Sequence, residues 1–439
     1  MTGGARLGVG VTAAANVTLA GLNAASGVLL ARSLGPAGRG EVAAIQLWGF
    51  LLATVAVLGT TDAVVYFSAR RPERAGTFAT SAAVLTTLTA LPVVAVGWVA
   101  MPLLLASQSS ATVGLARLFL LFVPLYAVAN QPGQALRGLS SFTRWNVVRL
   151  LPSLLWVVVV VSAIATGNRS PGFVTVGFLC GWVLSFGVSV VVARPIVRPP
   201  YRVDVTSWGP MLRYGLPLML ASIPQWLNVR LDQLLLAAFV PSDELGLYVV
   251  AVAWAGLVTP LVNALGVVLF PRLAAEPDEQ TREQVLFLGI RVTVLVTAGL
   301  VFAVGGLTPL AVPLFFGGAF SAAIGPAAIL VAGSGLLATN FVLEEGFRGL
   351  GRPGDVLRAE LGGLAATAVL LAGLLPGLGI LGAALASLGG YLATTLLLLH
   401  GLRRTVTGGV LRRCVPRRQD VRELVAGVVS LARLRPAQG

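Results

Sequence analysis

Lysine is absent from the 439 residues, histidine occurs once and cysteine twice, and only 11% of the residues are charged. Each shortage excludes something. Soluble domains carry about 25% charged residues, so this chain holds no large water-facing domain. The lone histidine, His400, and the distant pair Cys180 and Cys414 offer neither a zinc framework nor a disulfide. Hydrolytic or transfer chemistry at a membrane needs carboxylates or histidine on outer loops, which supply chiefly Asp243 and Glu244, so an enzyme is not expected. With no lysine, arginine fills every basic position, which reads as codon usage rather than chemistry.

What is abundant is apolar length. A hydrocarbon core of about 30 Å is crossed by roughly 20 apolar residues in a helix, and only helices and closed barrels satisfy every backbone polar group in lipid. Twelve stretches qualify, near residues 8–31, 42–67, 76–101, 113–136, 146–167, 173–193, 213–239, 245–270, 285–306, 323–347, 356–376 and 379–402. Helical length rules out a barrel. The expected class is therefore an all-α polytopic membrane protein with about 12 spans. Arg70, Arg71 and Arg74 follow the second stretch, Arg137, Arg144 and Arg149 the fourth, and Arg194, Arg198, Arg202 and Arg213 surround the connection after the sixth. Arg272 and Arg282 follow the eighth, Arg348 and Arg352 the tenth, and the tail from Arg403 is basic. Arginine in every second loop places those loops, and both termini, in the cytoplasm. The first span is too long for a cleavable signal and is expected to remain in the mature protein.

The chain also repeats itself. Leu29-Leu30-Ala31 followed by Gly40 recurs as Leu235-Leu236-Ala237 followed by Gly246, and Asn130 with Arg137-Gly138-Leu139 recurs as Asn340 with Arg348-Gly349-Leu350. An even repeat of six helices inserts both copies the same way, giving two six-helix lobes, residues 1–200 and 201–402, about a pseudo-two-fold axis along the membrane normal. A cavity between them is the natural substrate site. Residues 403–439 form a basic tail, in which Asp420 and Glu423 begin a capping-box-like pattern and Val421, Leu424, Val425, Val428, Leu431 and Ala432 make an apolar stripe. An interfacial helix and a solvated tail both fit. Arginine outnumbers acid 13 to 3 in residues 1–200, whereas acid leads 12 to 9 in residues 201–402. The cationic half either fixes topology on anionic lipid or attracts an anionic lipid-linked substrate; no nucleic-acid partner is expected.

Polar groups inside spans are costly and mark candidate sites. Gln225, Asn228 and Asp232 share one face of the seventh stretch, at i, i+3 and i+7, while Arg230 points elsewhere. These either meet substrate or a coupling ion, or form structural pairs. Thr12, Asn16 and Asn23 share a face of the first stretch, and Arg32 ends it near the outer surface, placed to grip a phosphate or to snorkel. Gln46 and Asn263 are further cavity candidates. Asp62, beside Thr60 and Thr61, is a second candidate for ion coupling alongside Asp232, or an end-of-helix hydrogen-bonding group. Glu344 and Glu345 are placed to pair with Arg348, and Arg117 to snorkel. Pro92, Pro124, Pro152, Pro217, Pro224 and Pro260 are expected to interrupt spans.

The turn Arg32-Ser33-Leu34-Gly35-Pro36-Ala37-Gly38-Arg39-Gly40, within residues 16–71, resembles the Wzx-type polysaccharide (oligosaccharide-lipid) flippases. Leu314-Phe315-Phe316-Gly317-Gly318-Ala319-Phe320 resembles the family's aromatic-glycine outer loop, and the run from Phe347 to Pro353 its loop after span ten. The resemblance covers residues 10–402 and implies membership of the multidrug, oligosaccharidyl-lipid and polysaccharide exporter superfamily. It also implies alternating access in the bacterial cytoplasmic membrane and movement of undecaprenyl-pyrophosphate-linked oligosaccharide units to the outer leaflet. Membrane lipids, a polysaccharide polymerase and glycosyltransferases are the implied partners. No cofactor is expected beyond a proton or sodium gradient. Twelve spans rather than fourteen favour a polysaccharide unit over the peptidoglycan precursor; a cation-coupled drug antiporter of the same superfamily is the alternative.

Overall fold

A backbone that can pair only with itself in lipid forms helices, and helices account for every regular element among the described residues of this computed structural model, 3–404, 409–417 and 419–420. In chain order they are α1 (Gly3–Ala56), α2 (Thr60–Arg70), α3 (Ala75–Leu104), α4 (Ser110–Phe119), α5 (Phe122–Ala129), α6 (Gln131–Gly138), α7 (Phe142–Ala165) and α8 (Pro171–Ala193). Then follow α9 (Trp208–Phe239), α10 (Ser242–Ala255), α11 (Thr259–Ala275), α12 (Glu279–Phe316), α13 (Ile324–Gly349), α14 (Pro353–Arg403) and α15 (Val410–Cys414). All twelve apolar stretches are helical. Among the described residues eight helical segments are long and apolar enough to cross a membrane, and the protein is a multi-pass membrane protein. The centre of α9 is less apolar because Gln225, Asn228, Arg230, Asp232 and Gln233 interrupt it.

Several boundaries differ from the sequence expectation, for local reasons. The first stretch and most of the second belong to one 54-residue helical run. A straight helix of that length would reach about 80 Å, well beyond one bilayer crossing. It turns at Gly35, whose φ of 69° is open to glycine without steric cost, and Pro36, which needs no intrahelical N–H partner, restarts the helix. The last two stretches likewise share α14, which bends at Gly379 with φ 53°. The second stretch breaks between α1 and α2, where Leu58 (φ 49°) and Gly59 (φ 69°) are left-handed. The fourth is divided among α4, α5 and α6, and the eighth between α10 and α11. Pro92 and Pro152 lie inside α3 and α7, and Pro217 and Pro224 inside α9, without ending the helix; Pro260 instead starts α11. The breaks follow backbone conformation more than proline positions.

Two compact units emerge, one comprising Met1–Ile223, Gln233–Val250 and Phe315–Phe320, the other Pro224–Asp232, Ala251–Leu314 and Ser321–Gly439. The first holds an aromatic nest in which Phe50, Phe119, Phe122, Phe178 and Trp182 meet at centroid separations of 5.2–6.4 Å. Near its arginine-rich ends Ala63, Val64, Ala82, Leu136, Val148 and Met211 form a second core. Between α8 and α9, Asp204 accepts from Thr206, Ser207 and Arg74, which hold its carboxyl down at about 2. The core of the second unit joins Leu273, Phe287, Val342, Phe347, Ala359 and Leu398. There Arg291 of α12 binds Asp420 through two hydrogen bonds, of 2.8 and 3.1 Å, and Arg413 of α15 reaches Glu283 at 2.6 Å. The stripe from Val421 to Ala432, with Glu423, lies outside the described residues.

Candidate functional site

Helical geometry puts residues 225, 228 and 232 on one stripe, and in the second unit that stripe of α9 meets polar groups from α13 and α14. Gln225 Nε2 donates to Glu344 Oε2 at 3.5 Å, and Asn228 Nδ2 to Glu360 Oε2 at 3.2 Å. Thr367 Oγ1 donates to Asn228 Oδ1 at 3.2 Å, so the amide of Asn228 is used at both ends. Asp232 accepts from Ser387 Oγ at 2.8 Å. One turn from Glu344, Asn340 donates to the Tyr391 carbonyl at 2.9 Å and accepts from Thr395 at 2.7 Å. Asn228 and Asp232 are 2% exposed, Glu344 1% and Glu360 5%. Three carboxyl groups thus lie inside one apolar bundle, where an unpaired charge is expensive.

The backbone makes room for this layer. A Cβ on Gly363 would overlap Thr394 Oγ1 and sit 3.2 Å from Asn228 Nδ2, and one on Gly390 would overlap Thr367 Oγ1. The two limbs of α14 therefore meet glycine against threonine on both sides. Small residues of this kind let membrane helices approach closely enough for buried hydrogen bonds.

The other expected residues fall in different surroundings. Arg230 is on the opposite, exposed side of α9. Glu344 and Glu345 both pair with Arg348, as their spacing implies, at 3.3 Å for Glu344. In the first unit, Asn146 of α7 donates to Thr12 Oγ1 at 3.0 Å, and Arg149 Nη2 to Asn16 Oδ1 at 2.5 Å. Asn23 is exposed. Arg32 Nε donates to the Phe315 carbonyl at 2.7 Å, which joins the two segments of family resemblance. Arg117 donates to the Trp98 carbonyl and lies 5.2 Å over that indole. Gln46 Nε2 and Asn263 Oδ1 are buried without hydrogen-bond partners. Asp62 is exposed in the first turn of α2, where the positive end of the helix dipole favours a carboxylate.

Glu360, Thr367 and Ser387 were missed by the sequence reading. The signal for Glu360 was present, since it is an acid more than one turn inside an apolar stretch. Thr367 and Ser387 carry no such mark, because hydroxyls are common in membrane helices and bond their own backbone. Among the described residues no group of three or more His, Cys, Asp or Glu side chains is arranged to hold a metal ion.

Similar folds are known. The structure aligns with the lipid II flippase MurJ in an inward closed conformation at TM-score 0.75, with 16% identity over 96% of this chain and 93% of that one. An inward-facing multidrug resistance MATE family transporter of the MOP superfamily aligns at TM-score 0.71, with 18% identity over 87% and 93%. Both are transporters rather than enzymes. The amylovoran biosynthesis protein AmsL of Erwinia amylovora is 28% identical over 154 residues, 34% of this chain, and the match spans only 39% of that protein. Residues 6–275, more than half of the chain, match the model of the family described as polysaccharide biosynthesis protein, and the chain belongs to that family.

Proposed function

We propose that the protein is an alternating-access flippase that moves undecaprenyl-pyrophosphate-linked oligosaccharide units from the inner to the outer leaflet of the bacterial cytoplasmic membrane. Its termini would face the cytoplasm, and residues 1–200 and 201–402 would act as the two moving lobes. Glycosyltransferases would build the substrate on one side and a polymerase would consume it on the other. The observation that carries this reading is the family match over residues 6–275 in a chain whose helices bury amide and carboxyl groups.

In this reading the buried layer of Gln225, Asn228, Asp232, Glu344 and Glu360 carries the coupling ion, a proton or sodium, with Asp62 as a second acid. A carboxyl already hydrogen-bonded to neutral amides and hydroxyls can change its proton or cation while the layer keeps its shape. Asn16, Asn23, Gln46 and Asn263 are assigned to the glycan, whose hydroxyls would satisfy the orphaned atoms of Gln46 and Asn263. Arg230, or Arg32 just before the bend of α1, is assigned to the phosphates.

The test is a strain lacking the gene, complemented with wild type, Glu360→Gln or Asp232→Asn, with surface polymer and lipid-linked intermediates measured. Lost polymer with intermediates retained inside, restored by wild type and poorly by either variant, is expected. Normal polymer with raised sensitivity to cationic drugs would replace this reading by the cation-coupled antiporter, which the MATE-like fold and buried acids also suit.

A further inference from the structure

The arginines of α6 and α7 mark topology, but two of them, Arg137 and Arg149, converge around one indole. Arg149 lies with its guanidinium carbon 4.6 Å from the Trp145 ring centroid, and Arg137 lies 5.5 Å from the same centroid. Their two charge centres are therefore no more than about 10 Å apart, a distance at which like charges near low-dielectric walls repel. Arg144 stands one residue before Trp145. Among the described residues none of the three forms an ion pair with a carboxylate.

Ordinary snorkelling arginines spread their nitrogens into water and headgroups. Here Arg144 Nη1 and Arg149 Nε are buried and have no hydrogen-bond partner. Asn16 fixes Arg149 through Nη2 and still has its own amide hydrogens to donate. The arrangement is a set of oriented donors with excess positive charge and, among the described residues, no paired carboxylate. Arg149 is seven residues into α7, about 10 Å along the axis. That depth suits a group attached to an amphiphile.

We propose that Arg137, Arg144 and Arg149, aligned by Trp145 and Asn16, form a binding site for the phosphate or pyrophosphate group of a lipid. A guanidinium edge matches two phosphate oxygens at once, and a doubly charged anion offsets clustered cations better than a carboxylate does. The naming of the lipid as the transported polyprenyl pyrophosphate rests on the flippase reading; the phosphate site itself does not. The bilayer's own anionic phospholipids offer the same chemistry.

The experiment uses the purified full-length protein in zwitterionic nanodiscs, titrated separately with polyprenyl pyrophosphate and with phosphatidylglycerol. Wild type is compared with Arg137→Gln, Arg144→Gln, Arg149→Gln, Arg149→Lys and, as a control in the loop before α9, Arg202→Gln. Polyprenyl pyrophosphate affinity should fall at least about tenfold in Arg144→Gln and Arg149→Gln, less in Arg149→Lys, and not in Arg202→Gln. Size-exclusion profiles identify any misfolded variant, and exposed Arg137 reads the site should Arg149→Gln fail to fold. If polyprenyl pyrophosphate binds wild type but no arginine variant weakens it, the site is wrong and the flippase reading survives. If wild type binds only phosphatidylglycerol, and the variants lose it, the site stands as a headgroup site and the flippase reading fails. Unchanged binding of both lipids in every variant overturns the site.

Discussion

Gly40 and Gly246, equivalent positions of the internal repeat, meet backbone to backbone within the first unit. A Cβ on Gly40 would overlap the Ser242 carbonyl and sit 2.8 Å from the Gly246 nitrogen; one on Gly246 would overlap the Pro36 carbonyl and sit 2.9 Å from the Gly40 nitrogen. The contact is reciprocal and leaves no space for a methyl group. Gln108 reinforces it nearby, donating to the carbonyls of Ala237 and Val240 at 3.0 and 2.8 Å and satisfying the open end of α9. Gly40→Ala or Gly246→Ala should destabilise the protein by about 1–3 kcal/mol, the usual cost of overpacking. Thermal unfolding of detergent-solubilised protein checks this. Gly187→Ala, with nothing near its added carbon, should leave the midpoint unchanged or slightly higher. Equal midpoints for Gly40→Ala and wild type would mean that this contact is looser than described.

The same pair shows how legible the fold was. The repeat spacing marked both glycines in the sequence, and helical periodicity put Gln225, Asn228 and Asp232 on a common stripe. Periodicity says nothing about which neighbour a stripe meets, so the partners Glu360, Thr367 and Ser387 had to come from the packed bundle. Gly35 and Gly379 were hidden for a different reason. An apolar stretch gives the length of a helix, but a bend without a loop depends on one residue's φ, and many glycines in this chain bend nothing. Arg149 was overlooked because the rule that counts arginines for topology is blind to what each guanidinium touches.

Asn228 is bonded through both ends of its amide, to Glu360 and to Thr367. Asn228→Ala would take the amide donor from the buried Glu360 carboxyl, while the Thr367 hydroxyl keeps the Gly363 carbonyl at 3.0 Å, at a cost of about 1–3 kcal/mol. Thr367→Val keeps the shape and removes one donor, so its loss should be about 1 kcal/mol. Thermal midpoints that rank wild type, Thr367→Val and Asn228→Ala in falling order are expected. A reversed order would show that the Thr367 hydroxyl contributes more through the Gly363 carbonyl, which it also reaches, than the Asn228 amide does through both of its bonds.

Acid should loosen the connection between α8 and α9. The Asp204 carboxyl, held down at about 2 by Thr206, Ser207 and Arg74, is ionised in the folded protein well below the ordinary carboxylate value of 3.8. A depressed value contributes stability that is complete above the unfolded pKa and disappears as pH falls through the folded one, here between about pH 4 and about pH 2. Asp204→Asn removes the titrating group, so the difference in unfolding midpoint between wild type and variant should be largest near neutrality and shrink across that window. A difference that stays constant with pH would detach the effect from this carboxyl.

The Arg291–Asp420 pair predicts how the start of the tail is held. Both side chains are largely shielded, at 13% and 4% exposure, and two hydrogen bonds align the guanidinium with the carboxylate. Removing Arg291 leaves the shielded Asp420 carboxylate with only the Arg417 N–H at 2.7 Å, which costs about 3 kcal/mol, whereas removing both leaves no stranded charge. The open population of this segment, and with it cleavage by trypsin in the arginine-rich stretch after Arg403, should therefore rise roughly a hundredfold in Arg291→Ala when opening is fast relative to cleavage. Arg291→Ala combined with Asp420→Ala should be cleaved more slowly than Arg291→Ala alone. The remaining Arg413–Glu283 contact is more exposed, at 30% and 26%, so Glu283→Gln should change the rate far less. A double variant cut as fast as Arg291→Ala would show that the stranded Asp420 carboxylate does not drive opening, leaving lost packing of the Arg291 side chain as the cause.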